Sequence, residues 1–189
     1  MEQIKHFFRN KYADFTEQDW HRIASKFIQQ EFPKKTLILK KGQVERYVSF
    51  IEEGIVRYYI PKENKEITFE LTFANDFIGA YDSFLTRQPS VYHIETITPT
   101  KLWRLSYEDV QTLYRETERG NLIGRLATEK LFLEKVKREI SFLNDTAEER
   151  YLNLLTEQPE LIKKIPLQYI ASYIGITPQA LSRIRRRIY

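Results

Sequence analysis

The last 29 residues of the chain, 161–189, contain six lysines and arginines and no aspartate or glutamate. The net charge of the whole chain is +4, so the other 160 residues carry a net charge of −2. A basic end on a nearly neutral body is typical of a protein that binds a polyanion. The alternative is a solvated basic tail, and the order of the other residues in this segment decides between the two.

That order predicts two short helices joined by a tight turn. The first helix is expected over 167–174, where Ala171 is small enough for a second helix to cross closely. Gly175 then supplies the turn, because a positive φ is cheap only for glycine. Thr177 is a suitable N-cap and Pro178 suits the first turn of the second helix. The apolar residues that would join the two helices are Ile170, Ile174, Ile176, Leu181 and Ile184.

The remaining face of the second helix is polar and basic, and it suits the edges of DNA bases. In a major groove, Gln179 can address adenine and an arginine can address guanine through paired hydrogen bonds, while other arginines neutralise phosphates. The Thr177 hydroxyl and the helix N-terminus suit a phosphate oxygen. We therefore predict a helix-turn-helix that binds double-stranded DNA; an ordinary helical hairpin with a cationic surface is the alternative. The candidate DNA-binding residues are Thr177, Pro178, Gln179, Ser182, Arg183, Arg185, Arg186 and Arg187.

The elements that would position this unit change type along the chain. Residues 1–32 show helical periodicity up to Pro33, with Thr16 as an N-cap for a helix over 14–27. From Lys35 to Ser106 the period is two, and turn residues separate seven or eight short strands with no helix between them, which predicts an antiparallel barrel or double-sheet jelly roll. Helices are then expected over 107–118, 121–143 and 147–156, the last one after a capping box formed by Thr146 and Glu149.

The second of these helices is long enough to form a dimer interface. Its apolar residues recur at three- and four-residue steps, interrupted by Glu129, and such a seam commonly pairs with a copy of itself. The alternative is a single helix that lies on the barrel. The predicted dimer residues are Leu122, Leu126, Leu133, Val136 and Ile140, followed at the same spacing by Leu143.

This order of elements resembles the Crp/Fnr family of bacterial transcription regulators over nearly the whole chain. The best local matches are YVSFIEEGIVRYYI, NDFIGAYDSFL and IASYIGITPQALSRIR, and the short end is similar to that of family members from Bacteroidetes. The resemblance implies an α+β protein with an antiparallel β-roll (jelly-roll) sensor domain of the cyclic-nucleotide-binding type, a long dimerisation helix and a small winged helix-turn-helix domain. We expect domains over 1–106, 107–145 and 146–189, and a homodimer that binds pseudo-palindromic operators.

Two departures from the family pattern change what the resemblance implies. Nucleotide-binding members carry Gly-Glu-Leu and then Arg-Ser or Arg-Thr, where the Glu takes the ribose hydroxyl and the Arg pairs with the cyclic phosphate. Here Gly79 is kept, Ala80 stands at the Glu position and Ser90-Val91 stands at the Arg-Ser position, with Arg87 out of register. Without these charged anchors we expect no binding of cAMP, and the effector stays unnamed. The candidate ligand-pocket residues are Gly79, Ala80, Tyr81, Ser90, Val91 and Tyr92.

The second departure is at the end of the chain, which stops at Tyr189. This is just after the second helix of the predicted helix-turn-helix, the recognition helix. Any wing is therefore expected from residues 161–166. In the long helix, the position that contacts the nucleobase in nucleotide-binding members falls near Leu133-Glu134, which does not match either.

Composition excludes several classes of function. The chain has no cysteine and therefore no disulfide, zinc finger or thiolate-held iron–sulfur cluster. His93 is the only histidine of the predicted barrel, so we expect no metal site and no cofactor, which argues against the alternative of a small cupin-type enzyme. No apolar run is long enough for a membrane span and no secretory signal precedes the first helix, so we expect a cytoplasmic protein. A ligand-binding module that acts through protein partners is a further alternative, and RNA polymerase is a candidate partner of the regulator.

Overall fold

The computed structural model describes residues 1–12, 16–157, 159 and 163–188. Two helices, α1 (Glu2–Lys11) and α2 (Glu17–Ala24), precede the strands. The strands are β1 (Ile28–Phe32), β2 (Leu37–Leu39), β3 (Tyr47–Glu53), β4 (Ile55–Lys62), β5 (Lys65–Phe73), β6 (Phe77–Ile78), β7 (His93–Thr96) and β8 (Thr100–Ser106), with a short helix α3 (Tyr81–Thr86) between β6 and β7. Helices α4 (Tyr107–Glu116), α5 (Gly120–Asn144), α6 (Ala147–Glu157), α7 (Leu167–Tyr173) and α8 (Pro178–Ile188) follow.

The eight strands form two four-stranded sheets in the orders β1-β8-β3-β6 and β2-β7-β4-β5, and every pair is antiparallel. Ile51, Val56, Ile94 and Leu102 are fully buried between the sheets, because alternate residues of each strand point inward. The predicted antiparallel β-roll is thus confirmed. β4 departs from simple alternation: its first five residues are all buried, so the outer face of this strand is covered as well.

Two local predictions were wrong. Residues 28–32 form strand β1 rather than the end of a helix, and β1 pairs with β8 along the edge of one sheet. Its Gln29, Gln30 and Glu31 side chains are exposed, so no alternation of apolar and polar residues marks it as a strand. The strands are also interrupted by α3, a single short helix that buries Ser83 and Phe84 and is too brief to show a helical period.

The predicted helix ends are largely confirmed where a side chain caps them. The Thr16 hydroxyl accepts the backbone N–H of Asp19, although residues 14 and 15 of the predicted helix lie outside the described residues. At the start of α6, the Thr146 hydroxyl accepts the N–H of Glu149 at 3.2 Å, and the Glu149 carboxylate accepts the N–H of Thr146 at 2.7 Å. This is the capping box, and it fixes where the long helix ends and α6 begins.

The helix-turn-helix packs on the β-roll of its own chain. Helix α7 lies against β5, and one apolar cluster joins Leu71 of the roll to Ile170 and Leu181 of the helix-turn-helix. The predicted wing falls partly on residues 161 and 162, outside the described residues, and residues 163–166 contain no strand. Across the part of the chain that is described, no helix combines the length and apolar character needed to cross a membrane.

Candidate DNA-binding surface and effector cavity

Helix α8 buries one face and exposes the other. Leu181 and Ile184 are buried against the rest of the helix-turn-helix, and the Thr177 hydroxyl caps the helix by accepting the N–H of Ala180 at 3.2 Å. Of the predicted DNA-binding residues, Ser182 is half-buried; the exposed ones are Thr177, Pro178, Gln179, Arg183, Arg185, Arg186 and Arg187.

The arginines of α8 are largely free to meet a polyanion. Arg187 forms an ion pair with Glu148 of α6, with 2.8 Å between Nη2 and Oε2. Among the described residues, no ion pair or hydrogen bond is made by the side chains of Arg183, Arg185 or Arg186. This surface therefore presents unpaired guanidinium groups along a helix whose N-terminus is capped, a combination that suits phosphates and base edges.

The turn between α7 and α8 is attached to the end of α5. Gly175 has φ +81°, and a Cβ there would lie 2.8 Å from Cε1 of Phe142. The Phe142 ring in turn lies 4.6 Å from the guanidinium carbons of both Arg138 and Arg150. Arg138 donates to the carbonyl of Tyr173 at 2.9 Å, and Arg150 donates to the carbonyl of Ile174 at 3.0 Å. Side chains from both sides of the α5–α6 junction thus bind the turn between α7 and α8.

The region that binds phosphate in nucleotide-binding members is occupied here by an internal carboxylate. Glu45 is only 3% exposed and accepts backbone N–H groups from Arg46 and Tyr47 at 3.0 Å and from Ala80 at 3.2 Å. The N–H of Gly79 donates to the Tyr58 hydroxyl at 3.0 Å. The N–H groups of Gly79 and Ala80 therefore already have partners, and the partner of Ala80 is a carboxylate.

Arg87 does not replace the missing phosphate anchor. Its guanidinium donates to the carbonyls of Glu45 and Phe84, at 2.8 and 3.2 Å, and lies over the Tyr107 ring, with 4.3 Å to the ring centroid. It is held as a structural group beneath α3.

A cavity of about 1220 Å³ lies between the roll and α5. Three of the predicted pocket residues line it, Gly79, Tyr81 and Tyr92, and three do not. Ala80 is fully buried, the Ser90 hydroxyl donates to the Tyr92 carbonyl at 3.0 Å, and Val91 is 61% exposed at the surface.

The wall of the cavity at the roll is aromatic. The Phe69 ring lies 5.9 Å from that of Tyr58 and 4.9 Å from that of Tyr92, and the Tyr92 hydroxyl donates to the Asp82 carboxylate. Burial raises the pKa of both tyrosines, and for Tyr92 the neighbouring Asp82 raises it further. Across the cavity, burial raises the pKa of Tyr114 to about 12. These phenols are therefore neutral hydrogen-bonding groups at physiological pH.

The predicted dimer residues lie on the outer side of α5. Leu122, Leu133 and Ile140 are exposed at 38%, 65% and 56%, whereas Leu126 and Val136 are half-buried. This apolar stripe is extended by two further exposed residues, Leu143 and Phe132. The three- and four-residue steps of the sequence pattern did not include Phe132.

Several residues that shape the site were missed by the sequence analysis. Glu45, Phe142 and Arg150 gave no signal, since the contacts that link them to Ala80 and to the turn at Gly175 span 24 or more residues. Arg57 gave one: a charged residue in the middle of the apolar run IVRYYI indicates that the outer face of that strand is covered too. His93, the histidine of the roll, accepts the N–H of Lys41 on Nδ1 at 3.0 Å, and the described residues contain no group of His, Asp and Glu arranged to hold a metal ion.

Comparison with known proteins agrees with this architecture. The family model for the cyclic nucleotide-binding domain matches residues 29–117. The structure of CLP from Xanthomonas campestris, described as a c-di-GMP-responsive global regulator, aligns with a TM-score of 0.72 at 14% identity over 92% of this chain and 91% of that one.

Two other solved structures align comparably. A protein from Eubacterium rectale assigned to the Crp/Fnr family has a TM-score of 0.71 at 18% identity, over 96% of this chain and 85% of its own. FixK2 from Bradyrhizobium japonicum has a TM-score of 0.71 at 15% identity, over 86% and 84% of the two chains. No curated protein sequence matches the chain. Residues 29–117 are therefore similar to the cyclic nucleotide-binding domain family, and the chain shares its fold with CLP and with the structure assigned to the Crp/Fnr family.

Proposed function

We propose that this protein is a transcription regulator that binds double-stranded DNA with helix α8. The observation that carries the proposal is the exposed basic face of α8, where Arg183, Arg185 and Arg186 have no acidic partner among the described residues. A helix that buries its apolar face and presents Gln179 near its capped N-terminus, with arginines further along, suits the major groove. The recognition helix is accessible while α7 packs on the roll, so the arrangement seen does not block it.

The protein acts as a homodimer formed through α5. The support is the stripe of exposed apolar side chains along a helix of 25 residues, which a soluble monomer would leave in water. Two copies related by a two-fold axis would present two α8 helices, so the operators are inverted repeats whose half-sites lie about one helical turn, 10–10.5 base pairs, apart.

The effector of this regulator is not cAMP. Glu45 already accepts the N–H of Ala80, and Arg87 is bound to main-chain carbonyls. Among the described residues, the arginines that line the cavity are Arg138 and Arg150, and both donate to carbonyls of the helix-turn-helix, so an entering phosphate would be desolvated without a free arginine. The aromatic wall with the Asp82 carboxylate instead suits a neutral or cationic aromatic molecule.

The alternative of a cupin-type enzyme finds less support than a regulator. The one histidine of the roll has its Nδ1 engaged by a backbone N–H, and the aromatic side chains around the cavity pack on one another rather than around a cluster of metal-ligating groups.

Equilibrium titration of a fluorescent duplex pool at several salt concentrations tests the proposal. The wild-type affinity should fall steeply with salt, because arginines displace counterions from phosphates. The Arg183→Ala/Arg186→Ala variant should bind at least about tenfold more weakly, with a salt slope lower by about 2 if both arginines contact phosphate. Arg46→Ala/Arg115→Ala removes two exposed arginines outside residues 146–189 and is the matched control. Equal binding by the α8 variant and the wild type would contradict the proposal.

A further inference from the structure

The contact between the helix-turn-helix and the β-roll contains polar groups as well as the apolar cluster. The Ser172 hydroxyl of α7 accepts the N–H of Thr68 at 2.9 Å and lies 3.2 Å from the carbonyl of Glu66, to which it donates. Both partners belong to β5. These bonds fix the register of α7 on the strand, since a shift of one residue would leave the Thr68 N–H without its acceptor.

Beside Ser172, a buried guanidinium joins the two units. Arg57 of β4 is 2% exposed, and its Nη2 lies 2.6 Å from carboxylate oxygens of both Glu66 and Glu95, with Nε 2.7 Å from Glu95. Its guanidinium carbon lies over two rings, 4.0 Å from the centroid of Tyr59 of the roll and 3.8 Å from that of Tyr169 of α7. Burial opposes the charge, but the hydrogen bonds to the two carboxylates outweigh it and raise the pKa of Arg57 above its ordinary value.

This cluster joins Arg57 of the roll to Tyr169 of the helix-turn-helix. A guanidinium can stack on two rings and pair with two carboxylates at once because it is planar, and a lysine cannot do both. Tyr169 is the one member of the cluster that comes from the helix-turn-helix. The charged groups are held by β4, β5 and β7 without it, so α7 can leave without breaking an ion pair.

The same hairpin also lines the cavity. In β4, Tyr58 faces the cavity, while its neighbours Arg57 and Tyr59 face outward to the cluster. In β5, Phe69 lies in the cavity wall beside Thr68, which bonds to Ser172. A bulge between Tyr58 and Tyr59 adjusts the pairing of the two strands at this point. Because Tyr58 and Arg57 are neighbours in the chain, a molecule in the cavity that displaced the hairpin would also displace Arg57.

We infer that Arg57 is a positioning residue: with Tyr169 and Ser172 it holds the helix-turn-helix on the β4–β5 hairpin and so sets where the recognition helix is presented. The inference rests on the proposed function for its consequence on DNA, but the position of α7 is measurable without DNA. Because the recognition face stays exposed in the docked state, the contact fixes geometry rather than blocking DNA.

The first test measures that position in the free protein. The chain contains no cysteine, so spin labels at Lys41→Cys and Gln168→Cys, both exposed, report the roll-to-α7 distance without background. Labelled chains are diluted with unlabelled ones so that only distances within one chain are counted. We expect one narrow distribution for the wild type and for Tyr169→Phe, which keeps the ring. Tyr169→Leu and Arg57→Lys should broaden it alike, and their combination should broaden it no further.

An unchanged distribution in Tyr169→Leu would overturn the inference. Tyr169 is only half-buried and lies outside the core of the roll, so this variant answers the question even if the Arg57 variant fails to fold. Additive broadening in the double variant would also overturn it, because two residues that act through one contact should not add.

The second test uses duplexes that carry two half-sites at varied spacing. Because the cluster holds the helix-turn-helix in one position, the wild type should bind one half-site spacing best. Tyr169→Leu should lose about fivefold or more in affinity for that spacing, while its affinity for the other spacings stays the same or rises. A uniform loss at all spacings would indicate a merely structural role and would contradict positioning. If the wild type binds no duplex at all, the proposed function fails, whereas the distance measurement still decides the role of Arg57.

Discussion

Gly175 shows how much one residue of the turn has to satisfy. Its φ of +81° is in the left-handed region, and the space where a Cβ would lie is filled by the Phe142 ring. The conformational need was predictable from the turn between two helices. The steric need was not, because Phe142 lies 33 residues earlier and meets the turn only after α6 and α7 have folded back.

We expect Gly175→Ala to lower the free energy of unfolding by about 1–3 kcal/mol, measured by urea denaturation. Gly42→Ala is the matched control: Gly42 also has a positive φ, +89°, but nothing lies within 4 Å of the added Cβ. Gly42→Ala should lower the free energy of unfolding only by the cost of a positive φ at alanine. Shortening Phe142 to Leu in the Gly175→Ala background should recover part of the difference. Equal losses at the two glycines would show that the contact with Phe142 does not constrain the turn.

Glu45 and Ala80, beside the cavity, are a second case in which the sequence predicts only part of what the structure requires. The sequence shows that the charged anchors for a cyclic phosphate are missing, but not that an internal carboxylate takes the N–H of Ala80, because the two residues are 35 positions apart. We predict that calorimetric titration of the purified protein with cAMP gives no saturable heat. Saturable binding at micromolar concentrations would contradict this account of the site.

At the scale of secondary-structure elements, the sequence predicts those that are defined by residues close together in the chain. The caps at Thr16, Thr146 and Thr177 and the alternation in the strands depend on residues a few positions apart, and these elements are where the pattern placed them. Strand β1 was missed because an exposed edge strand has no apolar face to alternate, and its only structural requirement is backbone pairing with β8. The docking of α7 on β5 was missed because it depends on tertiary contacts.

Helix α5 is the element on which the proposed dimer depends. We predict that Leu133→Glu/Ile140→Glu shifts the protein from dimer to monomer, because two carboxylates would be buried in the interface without partners. Light scattering coupled to size exclusion measures the mass. Thr128→Glu adds a carboxylate on the same helix, at a residue whose hydroxyl lies 3.3 Å from the Tyr81 hydroxyl of the roll, and should leave the dimer intact. A monomeric wild type, or a variant that stays dimeric, would refute the assignment of the interface.

At the scale of the whole molecule, the helix-turn-helix is attached at two places. The roll contacts α7 through Arg57 and through the bonds of β5 to Ser172, and the turn is bound by Arg138 of α5 and Arg150 of α6. The β4–β5 hairpin and α5 both line the cavity, so a molecule large enough to span it would contact both supports. Binding there would shift the balance between arrangements of the recognition helices to the extent that it favours one of them. The family resemblance predicted the order of these units; their mutual packing came from residues far apart in sequence.

Selection of bound duplexes from a randomised DNA pool, followed by measurement of the number of chains on the selected duplex, tests the central claim most directly. The account predicts an inverted repeat with half-sites about 10–10.5 base pairs apart, bound by two chains, and loss of enrichment when Gln179 and Arg183 are both changed to Ala. A pool without any enriched sequence, or a single unrepeated site bound by one chain, would contradict it.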